Sequence, residues 1–326
     1  MDPDAGVEFD TLAVADYGNS PSGDVTLPIH LSSTYELPGI DPDMRLEDVD
    51  PDAGEYLYGR LANPTRHALE TQLAALEGGE AGFAFTSGTA AIATVALSVL
   101  EPGDHLVAFD DLYAGTRRLF EEFLDAHLGV DVTFVDARDL EAVADAVDDG
   151  TSMIWMETPT NPLLHLCDVA AIADLAGAHD AVFGVDNTFA SPYFQRPLAL
   201  GADCVVHSTT KYLNGHSDSI GGALVTDDPR LAEAVEFRQG VALGNGLAPF
   251  DSYLLSRGLK TLPVRMRQHE ETAMTLARYL DGREGTRSVY YPGLESHPQH
   301  DLASEQMRGF GGILSFALDG DLADAA

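Results

Sequence analysis

Lysine has almost vanished from this chain: among 326 residues only Lys211 and Lys260 remain. Arginine can replace lysine wherever a surface charge is wanted, but a guanidinium cannot condense with a carbonyl. A lysine that survives behind a row of hydroxyls therefore points to amine chemistry. Lys211 has that setting, in His207-Ser208-Thr209-Thr210-Lys211-Tyr212-Leu213-Asn214-Gly215-His216. Lys260, in Arg257-Gly258-Leu259-Lys260-Thr261-Leu262, reads as an ordinary helix-surface residue. Cysteine is as scarce: Cys167 and Cys204 each lie in an apolar run, which excludes a disulfide framework and a cysteine metal site and leaves two small buried hydrophobes. No metal site is expected. Long apolar runs are missing too. The longest, Ala90 to Leu100, is too short to cross a bilayer, and Met1-Asp2-Pro3-Asp4-Ala5-Gly6 has no basic segment of the kind that opens a secretory signal, so a cytoplasmic protein is expected.

Positive charge is the remaining deficit. Eighteen Lys and Arg stand against 53 Asp and Glu, giving a net charge of −35 and a pI near 4.3. Bulk electrostatics then exclude nucleic acid and anionic membrane as partners. The acid excess is spread along a chain that is 45% hydrophobic, unlike a disordered acidic tail. An acid-rich, lysine-poor surface suits concentrated salt, which screens its self-repulsion, so a halophilic source is expected. The length predicts about two domains and a core large enough to need no staple.

The first sixty or so residues are rich in Pro, Gly and Asp and have little periodicity, which predicts an extended arm. Within it Asp48-Val49-Asp50-Pro51-Asp52 begins like a calcium loop, but Ala53 stands at the turn-glycine position and Gly59 at that of the bidentate Glu, leaving a solvated acidic loop. From residue 66 helical stretches (65–77, 88–100, 113–127, 138–148, 168–178) alternate with β-rich runs, among them 83–85, 105–109, 153–156, 181–185 and 204–206. Such alternation implies βαβ units and a mostly parallel sheet, with ligands beyond the carboxyl ends of the strands. A long helical region over 249–281 follows. A smaller α/β unit then begins near Ser288, with one convincing strand, 312–318, and the start of a helix at Ala326, which predicts a C-terminally truncated chain.

Four motifs follow predicted strands. Thr86-Ser87-Gly88-Thr89-Ala90-Ala91 opens a helix whose N–H groups can hold a phosphate; capping by Ser87 alone is the plainer alternative. Glu157-Thr158-Pro159-Thr160-Asn161-Pro162 is a rigid polar turn. Asp186-Asn187-Thr188 ends a strand, with helix capping as its alternative role. The fourth is the lysine run, with Ser208 and Thr210 as phosphate hydroxyls. An amine, a carboxylate and a phosphate cradle together meet the needs of pyridoxal phosphate: Lys211 for the aldehyde, buried Asp186 for the pyridine nitrogen, and donors for the phosphate. Gly244-Asn245-Gly246-Leu247-Ala248-Pro249 lacks a preceding strand and ends in proline, so a dinucleotide-binding oxidoreductase is set aside.

These motifs, with Pro28-Ile29-His30-Leu31-Ser32-Ser33-Thr34-Tyr35, Asn63-Pro64-Thr65-Arg66, Phe250-Asp251-Ser252-Tyr253 and Gly309-Phe310-Gly311-Gly312, resemble the γ-subfamily of Cys/Met-metabolism enzymes, that of cystathionine γ-synthase and γ-lyase, over nearly the whole chain. The resemblance implies the aspartate aminotransferase-like α/β fold (fold type I), with a mostly parallel seven-stranded sheet and helices on both faces. It implies an arm (1–65) contacting a neighbouring subunit, a pyridoxal-phosphate-binding domain (66–248), and a linking helix with an incomplete small domain (249–326). A dimer of dimers follows, with amino-acid substrates. By the same resemblance Tyr58 and Arg60 reach a neighbour's phosphate, and Tyr113 stacks on the cofactor ring. Asn161 bonds the phenolic oxygen, and Gly88 and Thr89 hold the phosphate by their backbone. Thr188 joins the cofactor-binding set with Asp186, while Lys211, desolvated and partly neutral, moves protons. The reaction implied is γ-replacement or γ-elimination on homoserine-derived amino acids. Three departures bear on it. Leu57 stands where cystathionine-handling members carry an acid, with Glu55 a weak substitute, which favours sulfhydrylation of an O-acylhomoserine. Gly115 replaces the cysteine of methionine γ-lyases. No counterpart of the family's later segment precedes Ala326, which raises the alternative of an inactive cofactor-binding paralogue.

Overall fold

The computed structural model describes residues 8–15, 17–18, 22–36 and 49–320. The N-terminal Met1-to-Gly6 segment, Asp48 at the head of the acidic loop, and the helix start expected at Ala326 lie outside the described residues. Nine strands are described: β1 (Ala81–Phe85), β2 (His105–Phe109), β3 (Asp131–Val135), β4 (Thr151–Glu157), β5 (Val182–Asp186), β6 (Cys204–Ser208), β7 (Gly222–Thr226), β8 (Thr286–Tyr290) and β9 (Ser315–Leu318). The α-helices are α1 (Phe9–Val14), α2 (Pro64–Glu77), α3 (Gly88–Val99), α4 (Ala114–Arg118), α5 (Leu140–Ala146), α6 (Val169–Ala178), α7 (Ser191–Phe194), α8 (Pro229–Phe237), α9 (Pro249–Leu259), α10 (Leu262–Leu280) and α11 (His300–Gln306). Strands β1 to β7 belong to one mostly parallel sheet, as the α/β alternation requires. By internal contacts the chain divides into two compact units, Met1–Val99 with Asp203–Leu262, and Leu100–Ala202 with Pro263–Ala326.

In the first unit the strand order is β1-β7-β6, with β7 antiparallel to both neighbours. Helix α2 starts where Asn63 accepts the N–H groups of Thr65 and Arg66 at 3.0 and 3.3 Å, has Pro64 in its first turn, and stops at left-handed Gly78. The Asn63 amide also donates to the His30 carbonyl (2.8 Å) and the Tyr35 hydroxyl (3.1 Å), and Thr65 donates to the Pro28 carbonyl (2.7 Å). The Pro28–Tyr35 and Asn63–Arg66 motifs are thus two halves of one hydrogen-bonded cap. Buried Leu69, Leu76, Phe85, Val205 and Leu224 form part of this unit's core.

The second unit holds the parallel ladder β5-β4-β2-β3. Its core includes Trp155, wholly buried and edge-on to Phe120 at 6.1 Å and 86°, an arrangement worth about 0.5–1.5 kcal/mol beyond the buried area. Asp139 and Asp168 cap α5 and α6. Farther along, β8 and β9 pair antiparallel beside a cluster of Ala273, Ala277, Tyr291 and Leu294, with the Tyr291 hydroxyl donating to the Gly311 carbonyl at 3.0 Å. Both cysteines are buried, and burial pushes the Cys167 thiol up to about 12 and that of Cys204 higher still.

The structure corrects four details. The arm contains a short helix, α1, whose Phe9, Leu12 and Ala13 are buried. The stretch expected as one helix over 113–127 is α4 followed by a π-helical segment, Leu119–Leu128, and the long helical region breaks between α9 and α10. The 312–318 strand begins only at Ser315 and has a partner in β8. Among residues 100–320 lies buried His297, whose imidazole is pushed down to about 4 by desolvation and by neighbouring His165 and His300. Its folded pKa lies below the ordinary 6.5, so its contribution to stability is present above pH 6.5 and is lost as pH falls toward 4. His297→Gln, which keeps an acceptor for the Gln299 N–H (3.2 Å), should lose less melting temperature than the parent over that window; equal losses by calorimetry would refute the assignment.

Candidate active site

The first unit brings five of the expected site residues together. Strand β6 ends at Ser208, and a tight turn follows in which the Lys211 N–H donates to the Ser208 carbonyl (3.2 Å) and the Gly215 N–H to the Lys211 carbonyl (2.8 Å). The turn leaves the Lys211 side chain exposed, so protein atoms of this chain do not desolvate the amine as expected. Helix α3 begins beside it. The Ser87 hydroxyl accepts the Ala90 N–H at 3.0 Å and its carbonyl the Ala91 N–H at 3.1 Å, which makes Ser87 the cap. Capping and anion binding are compatible, because among the described residues no acceptor takes the N–H of Gly88 or Thr89.

Bare backbone makes this arrangement possible. A β-carbon on Gly88 would lie 3.0 Å from both Cα and Cβ of Ser208, and one on Gly222 would lie 2.2 Å from the Ser87 carbonyl oxygen. The Gly88–Ser208 contact sets the first N–H groups of α3 against the end of β6, three residues before Lys211, and N–H groups, a hydroxyl and an amine are a donor set that fits a phosphate-bearing aldehyde. The Thr210 hydroxyl is already engaged, accepting from the Gly221 N–H (3.1 Å) and donating to its carbonyl (3.3 Å). Tyr58 and Arg60 contact each other, the guanidinium lying 5.5 Å from the Tyr58 ring centroid and donating to the Gly240 carbonyl. Asn245 has a structural task, its carbonyl accepting the Thr86 N–H at 3.0 Å, in keeping with setting aside a nucleotide loop there.

In the second unit β4 and β5 end side by side with Glu157 opposite Asp186, both buried. Asp186 is not a helix cap. Its Oδ1 accepts the Thr188 N–H at 3.0 Å and the Thr188 hydroxyl at 2.5 Å, so Thr188 orients the carboxylate. Glu157 accepts the Tyr113 N–H at 2.7 Å, and burial, reinforced by the charge of Asp186, pushes its carboxyl well above the usual carboxylate range. Tyr113 is the N-cap residue of α4 and is 52% exposed, so it is not a core aromatic. Its ring folds over Gly115, where a β-carbon would come within 2.4 Å of Cε1. The loop after β4 carries exposed Asn161, and both of its X–Pro bonds, Thr158–Pro159 and Asn161–Pro162, are cis. Asp111 secures that loop by accepting the Thr160 hydroxyl at 2.6 Å and pairing with His165 at 2.8 Å.

Glu157 and Asp111 are the residues that motif reasoning passes over. The signal for Glu157 is present in the sequence: it is a carboxylate at the end of an apolar strand, as Asp186 is. Asp111 has no comparable mark.

Residues 10–326 match the model of the Cys/Met metabolism PLP-dependent enzyme family. The chain is 48% identical over 301 residues to a probable cystathionine γ-synthase of Herpetosiphon aurantiacus, covering 92% of this chain and 90% of that protein. It is 48% identical to a cystathionine β-lyase of Coxiella burnetii, covering 92% of this chain and 75% of the relative. The crystal structure of cystathionine γ-lyase from Lactobacillus plantarum complexed with L-serine superposes with a TM-score of 0.89 at 44% identity, covering 96% of this chain and 79% of the other. With the family model matched over residues 10–326 and relatives at 48% identity over most of both chains, the chain belongs to the Cys/Met metabolism family of pyridoxal-phosphate-dependent enzymes.

Proposed function

We propose that this transsulfuration enzyme replaces or eliminates the γ-substituent of homoserine-derived amino acids, in the manner of a cystathionine γ-synthase or γ-lyase. The observation that carries the reading is the cluster of Lys211, Ser208 and the unclaimed N–H groups of Gly88 and Thr89 around a contact that no β-carbon could enter. Bound pyridoxal phosphate supplies an aldehyde for an amine and a ring that takes up electrons when a bond at the α-carbon breaks. Gly88, Thr89 and the Ser208 hydroxyl hold its phosphate, with Thr210 fixing the loop around them. Lys211 would hold the aldehyde until the substrate's own amine takes its place there, and the amine so released would take the α-proton and move protons between the α- and β-carbons. Asp186, oriented by Thr188, holds a proton on the pyridine nitrogen. Tyr113 covers the ring face and brings its phenol to the substrate, and Asn161 bonds the ring's phenolic oxygen. Tyr58 and Arg60 serve the phosphate of a neighbouring subunit.

A second reading has its own support. Leu57 offers no charge to a distal amino group, and Glu55 is turned to its own loop, accepting the Asp50 N–H at 3.4 Å. Both features suit sulfide as the acceptor, since it brings no distal amino group to be met. The assembly is a homotetramer, a dimer of dimers to which residues 1–65 contribute an arm. What supports it is apolar surface on the first unit, where Phe237, Val241, Leu243 and Phe250 are each 45–56% exposed. A cytoplasmic, salt-adapted protein fits the charge of −35 and the lack, among the described residues, of a helix long and apolar enough to cross a membrane.

Three outcomes are expected. Lys211→Ala should lose the visible absorption of the cofactor-loaded protein, and an unchanged spectrum would remove this lysine from the reaction. With an O-acylhomoserine as substrate, cysteine should be the better acceptor; a higher kcat/KM for sulfide would transfer the assignment to the sulfhydrylase reading. Light scattering should give four copies in molar salt and smaller species in its absence; a salt-independent tetramer would end the halophilic reading, and a monomer in molar salt would end that of the tetramer.

A further inference from the structure

The two second-unit residues proposed to touch the cofactor ring, Tyr113 and Asn161, lie on separate loops, and both loops are exposed at those positions. The Tyr113 ring rests on Gly115 with half of its surface open. The Tyr113 backbone is nevertheless anchored, because its N–H donates at 2.7 Å to Oε2 of Glu157. Glu157 is a rigid anchor: it is the last residue of β4, it is 7% exposed, and it stands in register with Asp186 on β5. The residue that follows it, Thr158, donates its N–H to the Asp186 carbonyl at 3.2 Å, which ties the start of the Asn161 loop to the same strand.

We propose that Glu157 is a positioning residue for the reaction, holding the Tyr113 backbone to the carboxyl end of β4 so that the ring-covering tyrosine keeps a fixed place relative to Asp186. A buried carboxyl has a cost that only a task explains, since an apolar side chain of similar volume would fill the site without desolvating an acid. Burial, chiefly, and then the charge of Asp186 favour the protonated form of Glu157, while the N–H groups of Tyr113 and Asn161 act against it. Protonated or not, one carboxyl oxygen can accept the Tyr113 N–H. Asp111 works in the same direction from outside the strand. Two residues before Tyr113, it accepts the Thr160 hydroxyl and so couples the tyrosine loop to the asparagine loop.

The inference rests on the roles proposed for Tyr113 and Asn161, and its test separates the two claims. Glu157→Gln keeps an oxygen for the Tyr113 N–H, whereas Glu157→Leu removes it at similar volume. Amide hydrogen exchange of the cofactor-free proteins reads the anchor directly, whatever reaction the enzyme performs. Segment 110–118 should exchange at least tenfold faster in Glu157→Leu and within threefold of the parent in Glu157→Gln. In the loaded enzyme, kcat should fall at least tenfold in Glu157→Leu with KM changed less, and Glu157→Gln should restore most of it. A folded Glu157→Leu protein with undisturbed exchange in 110–118 would overturn the anchor. So would a Glu157→Gln protein whose segment opens tenfold, a comparison that stands even if the leucine variant does not fold. Opened exchange with unchanged kcat would leave the anchor and overturn its part in the reaction.

Discussion

A helix can begin against the end of a neighbouring strand only where the backbones meet without side chains between them. Gly222 supplies that condition, standing in register with both Phe85 at the end of β1 and Ser208 at the end of β6. Its missing β-carbon lets the Ser87 carbonyl pass at a distance no other residue would tolerate, and Gly88 meets Ser208 in the same way. The unclaimed N–H groups of α3 and the positive end of its dipole thereby stand against Ser208 at the end of β6, three residues before Lys211. Loss of either glycine would move the helix start and with it every donor in the cradle.

The acid excess has structural work as well as a solvent role. Asp139, Asp168 and Asp228 cap α5, α6 and α8, each accepting N–H groups that a helix start leaves open. The few arginines are used locally, Arg117 with Glu121, Arg118 with Glu122 and Arg138 with Asp136. Such exposed pairs contribute only about 0–1 kcal/mol each, less still in concentrated salt, so they cannot account for the fold. Burial in the two cores must do that, and the charge is left to keep the surface hydrated.

The fold was legible where one face of an element is buried against a regular neighbour. The helices at 65–77, 88–100 and 168–178 match α2, α3 and α6 within a residue or so, and His105 to Phe109 is β2 itself. What escaped has physical reasons. Strand β8 is only partly buried along its length and carries Arg287 and Ser288, so it shows neither an apolar run nor alternation. Helix α1 lies in a stretch dominated by Pro, Gly and Asp, and only Phe9, Leu12 and Ala13 mark its buried side. In the site, Lys211 stood out because lysine is so rare, and Asp186 because it ends a strand. Tyr113 was recognisable only through the family resemblance, since a tyrosine at a helix start is equally at home in a core. Asp111 acts through a hydroxyl and an imidazole far along the chain, a pairing that local spacing does not encode.

Two carboxyl groups at the ends of adjacent strands pose a problem that the structure solves by giving them different partners. Asp186 receives both donors of Thr188 on one oxygen, two bonds that turn its plane and lock it. Glu157, buried to the same degree, receives the backbone N–H groups of Tyr113 and Asn161 beside that carboxylate, and desolvation prevails over those bonds. Burial first, and then the neighbouring carboxylate of Asp186, favour the protonated form of Glu157. A carboxyl pushed toward its neutral form is suited to fastening a loop, a task that needs an acceptor and not a charge. A second charge at Glu157 would gain nothing in fastening Tyr113, because either form of the carboxyl accepts the same N–H.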